Sequence, residues 1–150
     1  MLRSILAVIA GYFVMFVIIF VTFSMAYLSM GADRAFREGS YEVSWFWIVI
    51  SILLGTFAAL AGGMVCRLIA LSMTPVYVLA GLVLVLGILT AIPAFTADPP
   101  EARTAEVGNL DAMAEARTPP MVALLNPLIG AVGAIVGGLL IDRGRRHAIE

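Results

Sequence analysis

Lysine is missing from the chain altogether, and cysteine and histidine occur once each, as Cys66 and His147. A single thiol excludes an internal disulfide, a paired-cysteine redox centre and a cysteine-based zinc site. A single histidine excludes a bis-histidine haem held by this chain alone. Charge is scarce as well: Asp, Glu, Lys and Arg make up 13% of the 150 residues, against about 25% in a typical soluble domain. Nine arginines and ten acids leave a formal charge of −1, so there is no basic excess to recruit nucleic acid. What is abundant is hydrocarbon. Apolar residues account for 62% of the chain and the mean hydropathy is +1.05. A globule this small has too little interior to hide that surface. The proportions exclude a water-soluble enzyme and a disordered chain.

A hydrocarbon core of about 30 Å is crossed by about 20 helical residues. Four uncharged windows are long enough: 4–32, 43–66, 68–97 and 118–141. Backbone groups in lipid must be satisfied within their own segment, and no strand-like alternation is present. The sequence therefore predicts an all-α integral membrane protein, a four-transmembrane-helix bundle forming one domain over 1–150. The helices are placed near 5–28, 45–66, 76–95 and 121–141, with outer loops at 31–43 and 96–120 and a tail at 142–150. The first window is nearly twice as long as the apolar core of a signal peptide, so it is read as a retained helix. Ser44 is expected to cap the second helix. Thr74-Pro75 and Thr118-Pro119 read as N-cap followed by N1 for the third and fourth. Tyr41, Trp45 and Trp47 fall where an interfacial aromatic belt would lie. Pro127 removes a backbone bond inside the fourth helix and predicts a kink there.

Orientation follows from the arginines. Arg3, Arg143, Arg145 and Arg146 flank the terminal ends, and Arg67 is read as lying in the turn between the second and third helices. The other side carries Arg34, Arg37, Arg103 and Arg117 among more numerous acids. This asymmetry predicts both termini in the cytoplasm. Arginine without lysine, together with abundant Ala and Gly, suggests a GC-rich bacterial source and hence the inner membrane. The Arg143, Arg145 and Arg146 cluster is a candidate contact for anionic lipid headgroups. Asp142 and Arg143 are expected to form a local pair at the foot of the last helix or to cap its end.

An internal similarity stands out. Residues 55–63 (GTFAALAGG) match 130–138 (GAVGAIVGG) at an offset of 75, which raises a 2+2 helix-hairpin repeat or convergence on glycine-rich packing. Small residues recur in both: Gly55, Ala59, Gly62 and Gly63 in one, Gly130, Ala134, Gly137 and Gly138 in the other. Such stripes let helix backbones approach closely where lipid supplies no hydrophobic drive. They are the candidate helix-packing interface, within the chain or toward a partner.

Reactive groups are lacking where they would matter. The helix centres hold no ionisable residue, so a proton-coupled exchanger would lack its coupling group. The polar residues inside the spans are Thr22, Ser24, Ser51, Thr56, Thr90 and Asn126. In the 96–120 loop, Val107, Leu110 and Ala114 recur at helical spacing, suggesting a short amphipathic lid interrupted at Gly108. Phe36 and Tyr41 of the other outer loop would pack beneath it.

The expectation is a non-catalytic integral membrane protein, a structural or accessory subunit packing through its small-residue faces against other membrane subunits or a second copy. The alternative is a small oligomeric channel or carrier for an uncharged or lipid-like solute, with Thr56, Thr90 and Asn126 along the path. Membrane lipids are expected partners, nucleic acid is not, and neither a cofactor nor a metal is called for.

Overall fold

The computed structural model describes residues 2–96 and 108–147, with side chains as far as Asp142. Four helices are long and apolar enough to span a membrane, and among the described residues there are no strands, only two isolated bridges. The elements are α1 (Leu2–Met30), α2 (Ala32–Ala35), α3 (Trp45–Ala70), α4 (Thr74–Ala91), α5 (Pro93–Thr96), α6 (Asn109–Glu115) and α7 (Pro120–His147). Helices α3 and α7 run past their uncharged windows, through Arg67 to Ala70 and through Asp142 to His147, because helical hydrogen bonding does not stop at a charged residue; α4 lies inside its window.

The helix ends explain themselves locally, with three departures from expectation. Ser44 caps α3, accepting a hydrogen bond from the Trp47 N–H at 3.1 Å. Thr74, however, is already inside α4 with Met73 before it, and α7 opens at Pro120 rather than Pro119. Proline tolerates either of the first helical positions because its missing N–H has no intrahelical role there. The third departure is a break at Ile92 between α4 and α5, where Pro93 can neither donate nor extend the ladder. α3 stops at Leu71, a left-handed residue (φ 60°) whose N–H bonds to the Arg67 carbonyl at 3.0 Å. Glycine is the usual residue in that conformation, so no sequence signal marked the stop.

Two hairpins, α1 with α3 and α4 with α7, join through a central α3–α7 pair. These two run in the same direction. Ala59 lies beside Gly133, Gly63 beside Ala134, and Arg67 beside Asp142. The similar segments 55–63 and 130–138 therefore lie next to each other, pointing the same way. Between the outer helices α1 and α4, Leu79 reaches Gly11.

At the opposite end from Arg3 and Ile69, the connecting segments form a second small core. Tyr27, Ala35, Phe36, Val43, Ile48 and Ala112 are buried together there. The aromatic rings meet edge to face: Trp47 packs on Phe23 and Tyr27, and Phe36 on Tyr27 and Tyr41. Trp47 is thus turned into the bundle while Trp45 faces outward, dividing the expected belt. Helix α6 does sit on this core, but through Ala112. Leu110 is 67% exposed, so the face expected from the 110/114 spacing is not the buried one; Val107 lies outside the described residues. Helix α6 starts immediately after Gly108 and is tied to α1 by the Asn109 amide donating to the Ser24 hydroxyl at 3.0 Å.

Candidate functional site

Glycine sets the geometry of the bundle. A Cβ on Gly63 would run into the Ala134 carbonyl, and one on Gly137 into the Leu60 carbonyl. The α3 and α7 backbones therefore touch directly, each helix supplying one glycine. Gly62 serves a different neighbour, lying against Met15 and the Gly11 carbonyl of α1. Gly130 and Gly138 face α4, through Val83 and Val76 respectively, and Gly55 faces open space. Ala59 and Ala134 are fully buried in the central seam. The eight small residues thus divide among three helix–helix contacts (α3–α7, α1–α3 and α4–α7) and one open position.

Arg67 closes this seam at the end that carries the termini. It is not in a turn: α3 continues to Ala70, and the Arg67 side chain lies inward with only 9% of the residue exposed. Its guanidinium pairs with the Asp142 carboxylate of α7. Asp142 thus bridges two helices, because the parallel seam brings it beside Arg67; the pair expected with Arg143 lies outside the described residues. Arg67 Nε and Nη1 are buried without a hydrogen-bond partner among the described residues. Nearby, Arg3 donates to the Ile69 carbonyl at 2.6 Å, fastening α1 to the end of α3. The side chains of Arg143, Arg145 and Arg146 lie outside the described residues, and with them the headgroup contact expected of that cluster.

The other half of the bundle is open. Beyond the Gly11–Leu79 contact, a cavity of about 730 Å³ lies between α1, α4 with α5, and α7. Along α1 its wall runs from Tyr12 to Ile19, and along α4 from Val83 to Ala91, lengths of roughly 10 and 12 Å at the helical rise. Phe16 of α1 and Leu86 of α4 line it and remain partly exposed, so the cleft is open between the two hairpins. A smaller cavity of about 220 Å³ lies behind it against α3, sharing Met15, Ile19, Val83, Thr118 and Asn126.

One pair of residues, unremarked in the sequence, shapes this cleft. Pro127 is buried, and a Cβ on Gly87 would lie 2.5 Å from its ring. The glycine of α4 is the socket for the proline of α7, which seals the back wall. Lacking an N–H, Pro127 leaves the Ala123 carbonyl without its usual helical partner. Ala123 and Asn126 both line the cleft, and the Asn126 side chain makes no hydrogen bond to another described residue. A polar spot therefore sits partway down an otherwise apolar wall.

The three residues expected along a solute path separate. Thr90 and Asn126 face the same cleft, but Thr56 lines neither cavity. Its hydroxyl donates to the Ile52 carbonyl at 2.7 Å, as Thr90 does to Gly87 at 3.0 Å. Such bonds to the preceding turn are the ordinary fate of a hydroxyl in an apolar helix. The mouth was not foreseen as part of a site. Glu42 and Arg117 line it, held together by a bridge in which the Arg117 N–H donates to the Tyr41 carbonyl at 2.9 Å and the Val43 N–H to the Arg117 carbonyl at 3.1 Å. The two lie 75 residues apart, and no local pattern connects them. Among the described residues no three His, Cys, Asp or Glu side chains come together as a metal site.

Comparisons with protein-family models, curated proteins and solved structures found no match for this chain.

Proposed function

We propose that the protein is a non-catalytic carrier or binding protein for a lipid-like solute, a multi-pass protein of a bacterial inner membrane with both termini in the cytoplasm. The observation that carries this reading is the lateral cleft. Its volume of about 730 Å³ falls within the ~300–1,000 Å³ of pockets that enclose small ligands. Apolar side chains of α1 and α4 suit a hydrocarbon chain, and the Asn126 amide with the Ala123 carbonyl supplies hydrogen bonds for an uncharged polar group. A side opening lets such a molecule enter from the bilayer without crossing water.

Native mass spectrometry of the delipidated protein with added monoolein tests this. The wild type should retain one monoolein, and Ala123→Phe, which fills the cleft, should weaken retention about tenfold while leaving helix content unchanged. Equal retention by both proteins would remove the proposal.

A second reading is an accessory subunit that packs against other membrane subunits or itself. Its support is that Gly81 is exposed and has nothing within 4 Å of where a Cβ would stand, leaving a small position on α4 without a close neighbour. A lone monomer at every detergent concentration, with no companion after gentle purification, would count against it.

A further inference from the structure

We propose that the cleft selects a phospholipid of the surrounding bilayer, with its phosphate at Arg117 and an acyl chain along the α1–α4 wall. This rests on the reading of the cleft as an amphiphile site and names the class of amphiphile.

The argument is one of charge at the mouth. Among the described residues two charged side chains line the cleft, Glu42 and Arg117. The Glu42 carboxylate is already taken, with Arg37 Nη1 donating to its Oε2 at 2.7 Å. The Arg117 side chain is exposed and forms no ion pair or hydrogen bond with another described residue. Its backbone, by contrast, is pinned on both sides, to Tyr41 and to Val43, so the guanidinium springs from a fixed point. Among the described residues, then, one carboxylate is compensated and one cation left over at the edge of an apolar chamber.

Position supports the same assignment. Arg117 lies three residues before the start of α7, at the end of a spanning helix where lipid phosphates lie. A guanidinium recognises phosphate through paired, charge-assisted hydrogen bonds. A lipid anchored there has its chain directed down the cleft, past Ile19 and Leu86 toward Tyr12. A head without a phosphate would leave that contact unmade.

Two probes that differ only in the phosphate separate the possibilities: 1-oleoyl lysophosphatidic acid and monoolein, each titrated into delipidated full-length protein and read by native mass spectrometry. The wild type should hold the phosphate lipid at least about fivefold more tightly, the gain from one favourably placed arginine near a membrane surface. Arg117→Gln should abolish that preference while monoolein retention stays as before. Arg37→Gln, which uncovers Glu42, should reduce the preference as well. Ala123→Phe should weaken both lipids, locating the phosphate lipid in the cleft rather than on the arginine-rich tail. Equal binding of the two lipids by the wild type would overturn the phosphate assignment and leave the amphiphile reading standing. Phosphate-lipid binding untouched by Arg117→Gln or by Ala123→Phe would overturn it too. If monoolein is not retained and Ala123→Phe changes neither lipid, the amphiphile reading itself fails.

Discussion

The two ends of this bundle solve opposite problems with the same few residue types. At the end that carries the termini, glycines on α3 and α7 bring two backbones into contact, and an ion pair between Arg67 and Asp142 ties off the seam. At the other end the hairpins diverge, and a cleft takes the place of that contact. A glycine is used there as well, but Gly87 receives the ring of Pro127 and shapes a wall. The lesson is that glycine in a membrane helix has no single meaning. Opposite a carbonyl it closes a seam, opposite a proline it accommodates a kink-prone turn, and at Gly55 it meets nothing at all.

The largest effect that could break this contrast is a side chain placed in the seam. Gly63→Val puts a branched group where the Ala134 carbonyl lies, and overpacking of a close contact costs about 1–3 kcal/mol or more. The upper end applies here, because the obstacle is backbone and cannot rotate away. Unfolding in mixed detergent micelles should show that loss, whereas Gly55→Ala, facing open space, should leave the midpoint unchanged or slightly raised. Matching losses for the two would mean that the seam is not the stabilising element.

Next in size is the ion pair. Breaking a buried pair from one side costs about 3–5 kcal/mol. Asp142 keeps a fifth of its side chain exposed, so Asp142→Asn should cost less, about 2 kcal/mol. The double change Arg67→Met with Asp142→Leu should recover most of it, since an apolar pair of similar volume avoids the desolvation of both charges. A double variant no better than the single would show that the pair does more than neutralise itself. The smallest effect belongs to the open end: Ser44→Ala removes the cap of α3 and should cost about 1 kcal/mol. That substitution should also loosen the mouth of the cleft, because the Ser44 hydroxyl also donates to the Arg34 carbonyl at 2.5 Å. The check is a fall in monoolein retention larger than the fall in stability accounts for.

How much of this was legible depended on whether the signal was local. Ser44 before an apolar run announces a helix start in its own sequence neighbourhood. Arg67 could not be placed the same way. A charge at the end of an uncharged window looks like the edge of a turn, and only the partner 75 residues away makes it favourable to keep that residue helical and inside. The Gly87–Pro127 socket was equally hidden, since each residue alone reads as a helix breaker. Thr56 and Thr90 looked alike in sequence. Rotation about the helix axis put Thr90 on the cleft and Thr56 away from it, and an almost uniformly apolar helix gives no periodicity from which to read that rotation.

Composition by itself determined that the chain forms four apolar helices, because hydrocarbon surface in this proportion has no interior to hide in and backbone groups away from water must bond within their own segment. It determined nothing about which helix faces which. Where every side of a rod is apolar, burial cannot choose a partner face. The choice falls to shape, a missing Cβ here, a proline ring or a lone carboxylate there, and shape is settled only when distant stretches of chain are brought against one another.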